Sequence, residues 1–373
     1  MYKVNLHSSI SEIDATRWDQ LCDPGYPFLR HAFLQALEAS GSVGPETGWQ
    51  PLHLEVTDSQ TSVLVMPLYL KRHSWGEYVF DQSWADAYER NGLVYYPKLL
   101  NAIPFTPATG PRYGSTLSAM ETQQLIPELL EQVMRQVQAS SWHCLFPPSP
   151  ISASASTHAR LGCQYHWFNR GYADFDDFLS RFTSRKRKSI LRERRKVQEQ
   201  GIVLNSLTGS AILPKHIEQF YRFYQATYHK RGRRGYLTLE TFHQLLDQMA
   251  EQMLLVLAED EHTPVAAALY FIGSNTLYGR YWGCLEHYDS LHFEACYYQG
   301  IEFCIKQGLE RFDPGAQGEH KIQRGFEPVR TWSLHHMIHP GFHQAVGDFV
   351  AEEHELMERR IEELTTWLPF KHA

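Results

Sequence analysis

The chain is poor in the features that mark secreted, membrane or metal-thiolate proteins. Its six cysteines, at positions 22, 144, 163, 284, 296 and 304, contain no C-x-x-C pair. Their spacing supports neither a disulfide framework nor a zinc-thiolate site, so reduced, packed thiols are expected. No apolar run approaches the ~20 residues of a membrane span; the longest clean stretch, Val63–Leu70, is interrupted by Pro67. The amino terminus has no basic-then-apolar segment, so no secretory signal and a cytoplasmic location are expected. Overall basicity is also missing. The net charge of −7 excludes a protein that is basic all over, though not one with a local basic site. Histidine is plentiful, but His335, His336, His339 and His343 lack H-E-x-x-H or Cys/His spacing, and no metal site is expected.

What is present fits a globular α/β protein of two domains. At 373 residues the chain exceeds a usual single core. In the second half, Pro214 opens a helix with Ile217, Phe220, Tyr221, Tyr224 and Tyr228 at i, i+3, i+4, i+7 spacing. Thr238 can cap a second helix. Strands follow at Leu254–Ala258, Val265–Ile272 and Thr276–Trp282, the first two as a hairpin. A helix over His292–Lys306, a short strand Leu309–Asp313 and a strand Arg330–Ile338 complete the half. The first half repeats this order more faintly: helices at Ala15–Leu21 and Leu29–Ala39, strands near Leu52–Thr57 and Ser62–Leu70, and a helix through Ile126–Val137. The run Trp142–Phe146, a short Ala/Ser-rich helix and a strand Cys163–Asn169 close it. The two hairpins share a pattern, which reads as an ancient duplication. The expected domains are 1–170 with an irregular insert at 71–113, then 171–341 opening with a basic helix at 175–200, then a terminal helix in 342–373.

Three places concentrate polar chemistry. The loop Asp313-Pro-Gly-Ala-Gln-Gly-Glu-His-Lys-Ile-Gln-Arg-Gly-Phe sets Gln317, Glu319, His320, Lys321 and Arg324 among three glycines that let backbone approach a ligand. Glu319 or His320 could be a base; spacing does not choose. Arg280 and Trp282 lie on a strand that otherwise reads as core, one face carrying both and Tyr281 facing the other way. Arg280 therefore needs a ligand or a carboxylate, with Glu294 and Asp86 as candidates. The segment Ser184–Lys196 holds eight basic residues and one acidic, a local +7 that leaves −14 for the rest. Arg185, Lys188, Arg192 and Arg195 recur at helical spacing beside Arg187, so one face can meet several phosphates. In the insert, Trp84, Asp86, Glu89 and Arg90, with Pro104–Arg112, suit an acceptor pocket wall.

Whole segments resemble a bacterial family of Fem-like N-acyltransferases, described as peptidoglycan biosynthesis or recognition proteins, within the GNAT superfamily. They are Trp84-Ala-Asp-Ala-Tyr-Glu-Arg, Tyr95-Tyr-Pro-Lys, Pro104-Phe-Thr-Pro-Ala-Thr-Gly-Pro-Arg, Ser184-Arg-Lys-Arg-Lys, Tyr278-Gly-Arg-Tyr-Trp-Gly and Gly315-Ala-Gln-Gly-Glu-His-Lys. The resemblance implies tandem GNAT-like domains, each a mixed, mainly antiparallel sheet flanked by helices. It implies transfer of an aminoacyl or acyl group to an amine, in a small molecule or peptide, by direct attack. The donor carbonyl would sit between two splayed strands, with a backbone N–H near Tyr281–Gly283 facing the oxyanion. Lys321 would face phosphate or oxyanion. The glycine-rich coenzyme-A loop of that fold is absent at Cys284–His292. Its absence favours aminoacyl-tRNA over acyl-CoA as co-substrate. The rival reading is a non-catalytic module that recognises a peptidoglycan precursor or RNA through the basic helix.

Overall fold

The computed structural model describes residues 2–150 and 157–371. The expected Ala/Ser-rich helix before Cys163 lies outside them. The chain divides into two compact units, Met1–Cys163 with Arg330–Arg360, and Gln164–Val329 with Ile361–Ala373.

The first unit begins with β1 (Lys3–His7), α1 (Ala15–Leu21) and α2 (His31–Ala39). The Asp14 carboxylate starts α1 by accepting from the Arg17 N–H. Next come β2 (Trp49–Pro51), β3 (His53–Asp58), β4 (Thr61–Met66), β5 (Tyr69–Lys71), α3 (Gln82–Arg90), β6 (Lys98–Asn101), β7 (Gly114–Ser115), α4 (Ala119–Gln136) and β8 (Ser141–Leu145). Pro67, which lacks the N–H a ladder needs, splits the single strand expected over 62–70. β4 pairs with β3 and β7, while β5 pairs with β2 and β6. The insert is more regular than its composition suggested. It contributes α3 and the wholly buried β6, which pairs parallel to β8. Leu54, Leu64, Met66, Leu99, Ile126, Leu130, Val133, Trp142 and Leu334 fill the core between the strands and α4.

β9 (His158–Phe168) carries the chain into the second unit, where its end pairs with the later strand at Arg311–Phe312. There follow α5 (Phe175–Ser180), α6 (Ser184–Glu199), β10 (Ile202–Thr208), α7 (Pro214–His229), α8 (Leu239–Met249), β11 (Met253–Asp260), β12 (Thr263–Ile272) and β13 (Thr276–Cys284). A helix then runs as α9 (Leu291–Phe293), a π turn (Glu294–Tyr298) and α10 (Gln299–Gln307), before β14 (Arg311–Asp313). The sheet order is β10-β11-β12-β13-β14-β9. β15 (Glu327–Met337) returns to the first unit, where Ser333–Met337 pair with β8, and α11 (Pro340–Thr365) packs Val346 and Val350 on Trp84, Tyr88 and Met337. β1-β3-β4-β7 thus form a separate sheet with no exchanged strand, while β9 completes the sheet of the second unit and β15 extends the strands β8-β6-β5-β2 of the first. That exchange is why the units do not follow simple boundaries at 170 and 341.

The basic helix expected over 175–200 is two helices. At the break Phe182 is fully buried among Phe178 and Phe370, and the Thr183 N–H donates to the Pro369 carbonyl. Burying one aromatic ring there turns the backbone out of the helical path.

α7 lies directly on β13 at Gly283. A Cβ there would stand 2.1 Å from the Phe223 carbonyl carbon and 2.3 Å from its oxygen. Backbone cannot yield as a side chain can, so Gly283→Ala should cost about 1–3 kcal/mol. Denaturant unfolding measures this; an unchanged midpoint would mean that α7 is not seated at this glycine.

Candidate active site

β13 and β14 run parallel through only three pairs, Thr276–Arg311, Leu277–Phe312 and Tyr278–Asp313. Pro314 ends β14 by removing a donor. On the other side β13 bulges: Leu269 of β12 opposes Tyr281 and Tyr270 opposes Gly279, so Arg280 is the extra residue. A bulge bends its strand and re-aims side chains. Pairing stops there, and a cavity of about 550 Å³ is lined by Gly279–Trp282 of β13 and by the loop that follows β14.

The bulge also breaks the expected alternation of side chains. Arg280 does not share a face with Trp282. Its guanidinium is 5.5 Å from the Tyr281 ring, and Tyr281 packs edge-on against Tyr224 of α7 at 5.6 Å. Trp282 instead meets His292 of α9 at 5.5 Å. The cavity therefore has one wall from α7 (Tyr224, Thr227, Tyr228) and another from the 291–307 helix (His292, Cys296, Tyr297). Of the two carboxylates suggested for Arg280, Glu294 is taken by Arg194 at 2.9 Å, and Asp86 lines a recess in the first unit.

The loop after β14 forms the floor. Lys321 is 2% exposed, and its Nζ donates to the Gly315 carbonyl at 2.7 Å. Gly315 and Gly318 take φ of +88° and +105°, and Gln317 +59°, which lets the loop curl back over the amine. Burial lowers the Lys321 pKa to about 8, against the opposing pull of Asp313. Asp313 is itself buried, accepting from the Gly315 N–H and facing His166 at 3.6 Å. Burial pushes His166 down to about 4.

His320 lines the cavity, with its Nε2 2.9 Å from the Tyr297 hydroxyl. Burial, then Arg324 and Lys321, hold it below the usual histidine value, so the ring is neutral at pH 7. His292 is likewise lowered, to about 4, by burial and then by His320.

The structure sorts the other expected residues. Gln317, His320, Lys321, Arg280 and Trp282 come together on the cavity wall. Glu319 is exposed in the next turn and is not on the wall. Arg324 acts as a strut: it pairs with Glu193 at 2.9 Å, lies 3.4 Å over the Phe293 ring and donates to the His320 carbonyl. Arg112 is buried in the first unit, donating to the carbonyls of Ala108, Gly110, Pro111 and Leu145. It holds its own loop rather than lining a pocket. Asp86 and Glu89 line a recess in that unit, and Arg90 bonds to the Asp86 carbonyl beside it. On α6, Arg185, Lys188, Arg192 and Arg195 form an exposed face, with Arg187 half-buried at its edge. None of the five lines the cavity.

Tyr224, Tyr228, Arg231, His292, Cys296 and Tyr297 also line the cavity, and sequence reasoning passed over them. The tyrosines sat in a helical stripe that read as core. Arg231 sat in what read as a connecting stretch.

Among the described residues no group of three or more His, Cys, Asp or Glu side chains is placed to hold a metal ion. The C-terminal histidines pack against rings: His335 meets His143, His336 stacks on Trp142, and His343 lies on His158. No described helix is long and apolar enough to cross a membrane.

Mixed sheets flanked by helices, with β9 and β15 exchanged between the halves of the sequence, make this a tandem GNAT-like α/β protein. The chain belongs to the FemAB-like family of peptidoglycan biosynthesis/recognition proteins, whose model matches residues 9–372. Its fold is similar to that of FemX, with 11% identity, 90% of this chain and 98% of that one covered, and a TM-score of 0.54. The C-terminal domain of an Agrobacterium fabrum protein assigned as a lysylphosphatidylglycerol synthetase is similar at 10% identity, 91% and 96% coverage and a TM-score of 0.56. L-PGS from Bacillus licheniformis is similar at 10% identity, 88% and 98% coverage and a TM-score of 0.51. No curated protein matches the sequence. Family and fold support acyl or aminoacyl transfer as the general class of activity.

The buried amine has a direct signature. In lysine-selective carbon NMR, the Lys321 side chain should titrate near pH 8, identified by its loss in Lys321→Arg. The folded value lies below the unfolded one, so between them the unfolded chain binds more protons. This group's contribution to stability accordingly rises with pH across that window. An ordinary lysine midpoint would mean that the amine is solvated.

Proposed function

We propose that the protein is an N-acyltransferase working in the cavity between β13 and β14. It moves an aminoacyl or acyl group from aminoacyl-tRNA or acyl-CoA to an amine acceptor. The observation that carries this reading is the cavity where β13 stops pairing with β14, with a bulge at Arg280 beside it and a buried lysine below.

In this reading the acceptor amine attacks the donor carbonyl held in the gap. Backbone N–H groups of the bulged segment 280–283 face the developing oxyanion. The Lys321 ammonium adds positive charge from the floor. As the C–N bond forms, the neutral His320 ring takes the amine proton, and Tyr297 orients that ring. Collapse of the intermediate breaks the ester or thioester bond, and the leaving oxygen or sulfur takes the proton that His320 received, which restores the neutral ring. His320 is preferred to Glu319 as the base because it lines the cavity.

For the donor we favour aminoacyl-tRNA. The exposed α6 face offers Arg185, Lys188, Arg192 and Arg195, with no ion pair for any of them among the described residues. Four phosphate contacts predict that the logarithm of affinity for tRNA falls with the logarithm of salt at a slope of about −3 to −4. Charge reversal of the four should remove that slope. Binding of immobilised coenzyme A with no RNA binding would assign the donor to acyl-CoA.

Transfer should lose its Lys321-dependent component as pH rises through about 8, because the amine is charged only below that value. Lys321→Arg should abolish this limb, and Lys321→Ala should reduce turnover by about 100-fold, the scale of losing one electrostatic group at a reacting centre. Full turnover in Lys321→Ala would exclude Lys321 from the reacting centre, whereas intact biological activity in Lys321→Ala with no measurable transfer by either form would favour a non-catalytic binding module.

A further inference from the structure

A carboxylate of α6 stands directly behind the site loop. Glu193 is the single acidic residue within Ser184–Lys196, and Arg192 and Arg195 beside it are exposed. Its two carboxylate oxygens accept from the Arg324 Nη2 at 2.9 and 3.0 Å, and one of them also accepts from the Tyr298 hydroxyl. Arg324 is buried, with its guanidinium 3.4 Å over the Phe293 ring, and its Nη1 donates to the His320 carbonyl at 2.9 Å. Glu193, Tyr298 and Arg324 are not among the described residues that line the cavity, so they act on His320 from outside it.

His320 is thereby held at both ends. Its backbone carbonyl is bound by Arg324, and its ring Nε2 lies 2.9 Å from the Tyr297 hydroxyl. Tyr297 and Tyr298 are consecutive residues of the π turn Glu294–Tyr298, and their hydroxyls reach His320 and Glu193 respectively. A π turn carries one residue more than an α turn, which re-aims the side chains it holds. The contacts therefore close a ring: His320, Tyr297, Tyr298, Glu193, Arg324 and back to His320. The charge-assisted bonds to Glu193 are the strongest link in it. A buried guanidinium without its counter-charge is strongly disfavoured, so loss of the carboxylate drives Arg324 towards solvent and frees the His320 carbonyl.

We propose that Glu193 is a positioning residue, which fixes the His320 ring at the cavity wall through Arg324 on one side and Tyr298 on the other. This deepens the transferase reading and rests on it only for what His320 does there. A base has to meet the amine proton at hydrogen-bond distance, and small displacements of such a group cost rate rather than binding. The carboxylate thus serves turnover without touching a ligand, and the helix that carries it also carries the exposed cations.

The test is NMR titration of His320 in the full chain, its signal identified by loss in His320→Gln. The titratable groups around the ring are His292 and Tyr297 of the 291–307 helix, with Lys321 and Arg324 of its own loop. Burial and then Arg324 are the two largest causes that hold its pKa down. Release of the loop relieves both, so Glu193→Gln should raise the His320 pKa towards the ordinary histidine value. Tyr298→Phe keeps the ring against Phe175 and removes only the hydroxyl, so it should raise the value less and keep the fold even where Glu193→Gln does not. Glu199→Gln, the same charge change at an exposed position of α6, should leave it unchanged. In transfer from whichever of aminoacyl-tRNA or acyl-CoA is turned over, Glu193→Gln should lower kcat about 10-fold with KM little changed. Glu193→Asp should recover part of this loss. Glu193→Gln combined with Arg324→Gln should lose no more than the larger single loss, since both act through one contact. An unchanged or lowered His320 pKa in Tyr298→Phe or in folded Glu193→Gln would overturn the proposal, as would fully additive losses. A raised pKa with undiminished turnover, or with no transfer in any form, would refute the base role of His320 and leave the positioning standing.

Discussion

A buried ammonium group held against loop carbonyls is the contact on which the second unit's cavity depends. Lys321 is committed to Gly315 and Ala316, and the left-handed glycines let that loop curl back over the amine. Without the amine, two carbonyls would point at a buried space with no donor, at a cost of about 1–3 kcal/mol each. Asp313 lies next to the loop start and is fixed by the Gly315 N–H. One lysine therefore sets the floor of the cavity, and the same lysine supplies its deepest charge.

The first unit provides an internal comparison. Lys98 is also fully buried, but it pairs with Glu77 at 2.7 Å and with Asp81. Although burial works against its charge, those two carboxylates carry its pKa above the ordinary lysine value. That lysine is neutralised and locked. Lys321 has carbonyl oxygens as partners and a single carboxylate nearby, so its pKa falls and its charge can be lost near neutral pH. Lys71 of the first unit is also buried, and burial lowers its pKa to about 7, so a depressed lysine does not by itself mark the second unit; the bulge at Arg280 with the cavity beside it does.

Much of the second half was legible because its helices and strands are strongly periodic. The stripe from Ile217 to Tyr228, the cap at Thr238 and the hairpin Met253–Ile272 needed no tertiary information. The loop from Gly315 to Arg324 was legible for a different reason, since glycines beside charges are uncommon in a passive turn. Other features depend on contacts distant in sequence. β6 offers only Leu99 and Leu100 between polar ends, and it forms a buried strand because Glu77 and Asp81 neutralise Lys98. The exchange of β9 and β15 leaves no local mark, as a strand's partner is not written in its own residues. The alternation argument for Arg280 and Trp282 failed because one extra residue shifts the period, and a bulge has no fixed sequence signature. Arg112 and Arg324 carry the charge of ligand-binding residues but are consumed by carbonyls and by Glu193.

The distribution of charge on α6 shows how much of its basicity the fold uses. Lys186 binds Gln323, Arg194 bridges Glu294 and Glu302, and Lys196 pairs with Asp289. These inward cations tie α6 to the site loop, to the helix through Glu294–Gln307 and to the turn before it. Removing them from the count leaves the exposed face, whose charges repel one another and add no packing. Like charges at i, i+3 and i+4 spacing destabilise a helix by a few tenths of a kcal/mol per pair. A face kept basic against that cost, in a chain otherwise at −14, behaves as a local attractor for anions. The exposed cations of α6 are thus the part of its basicity that no ion pair among the described residues uses.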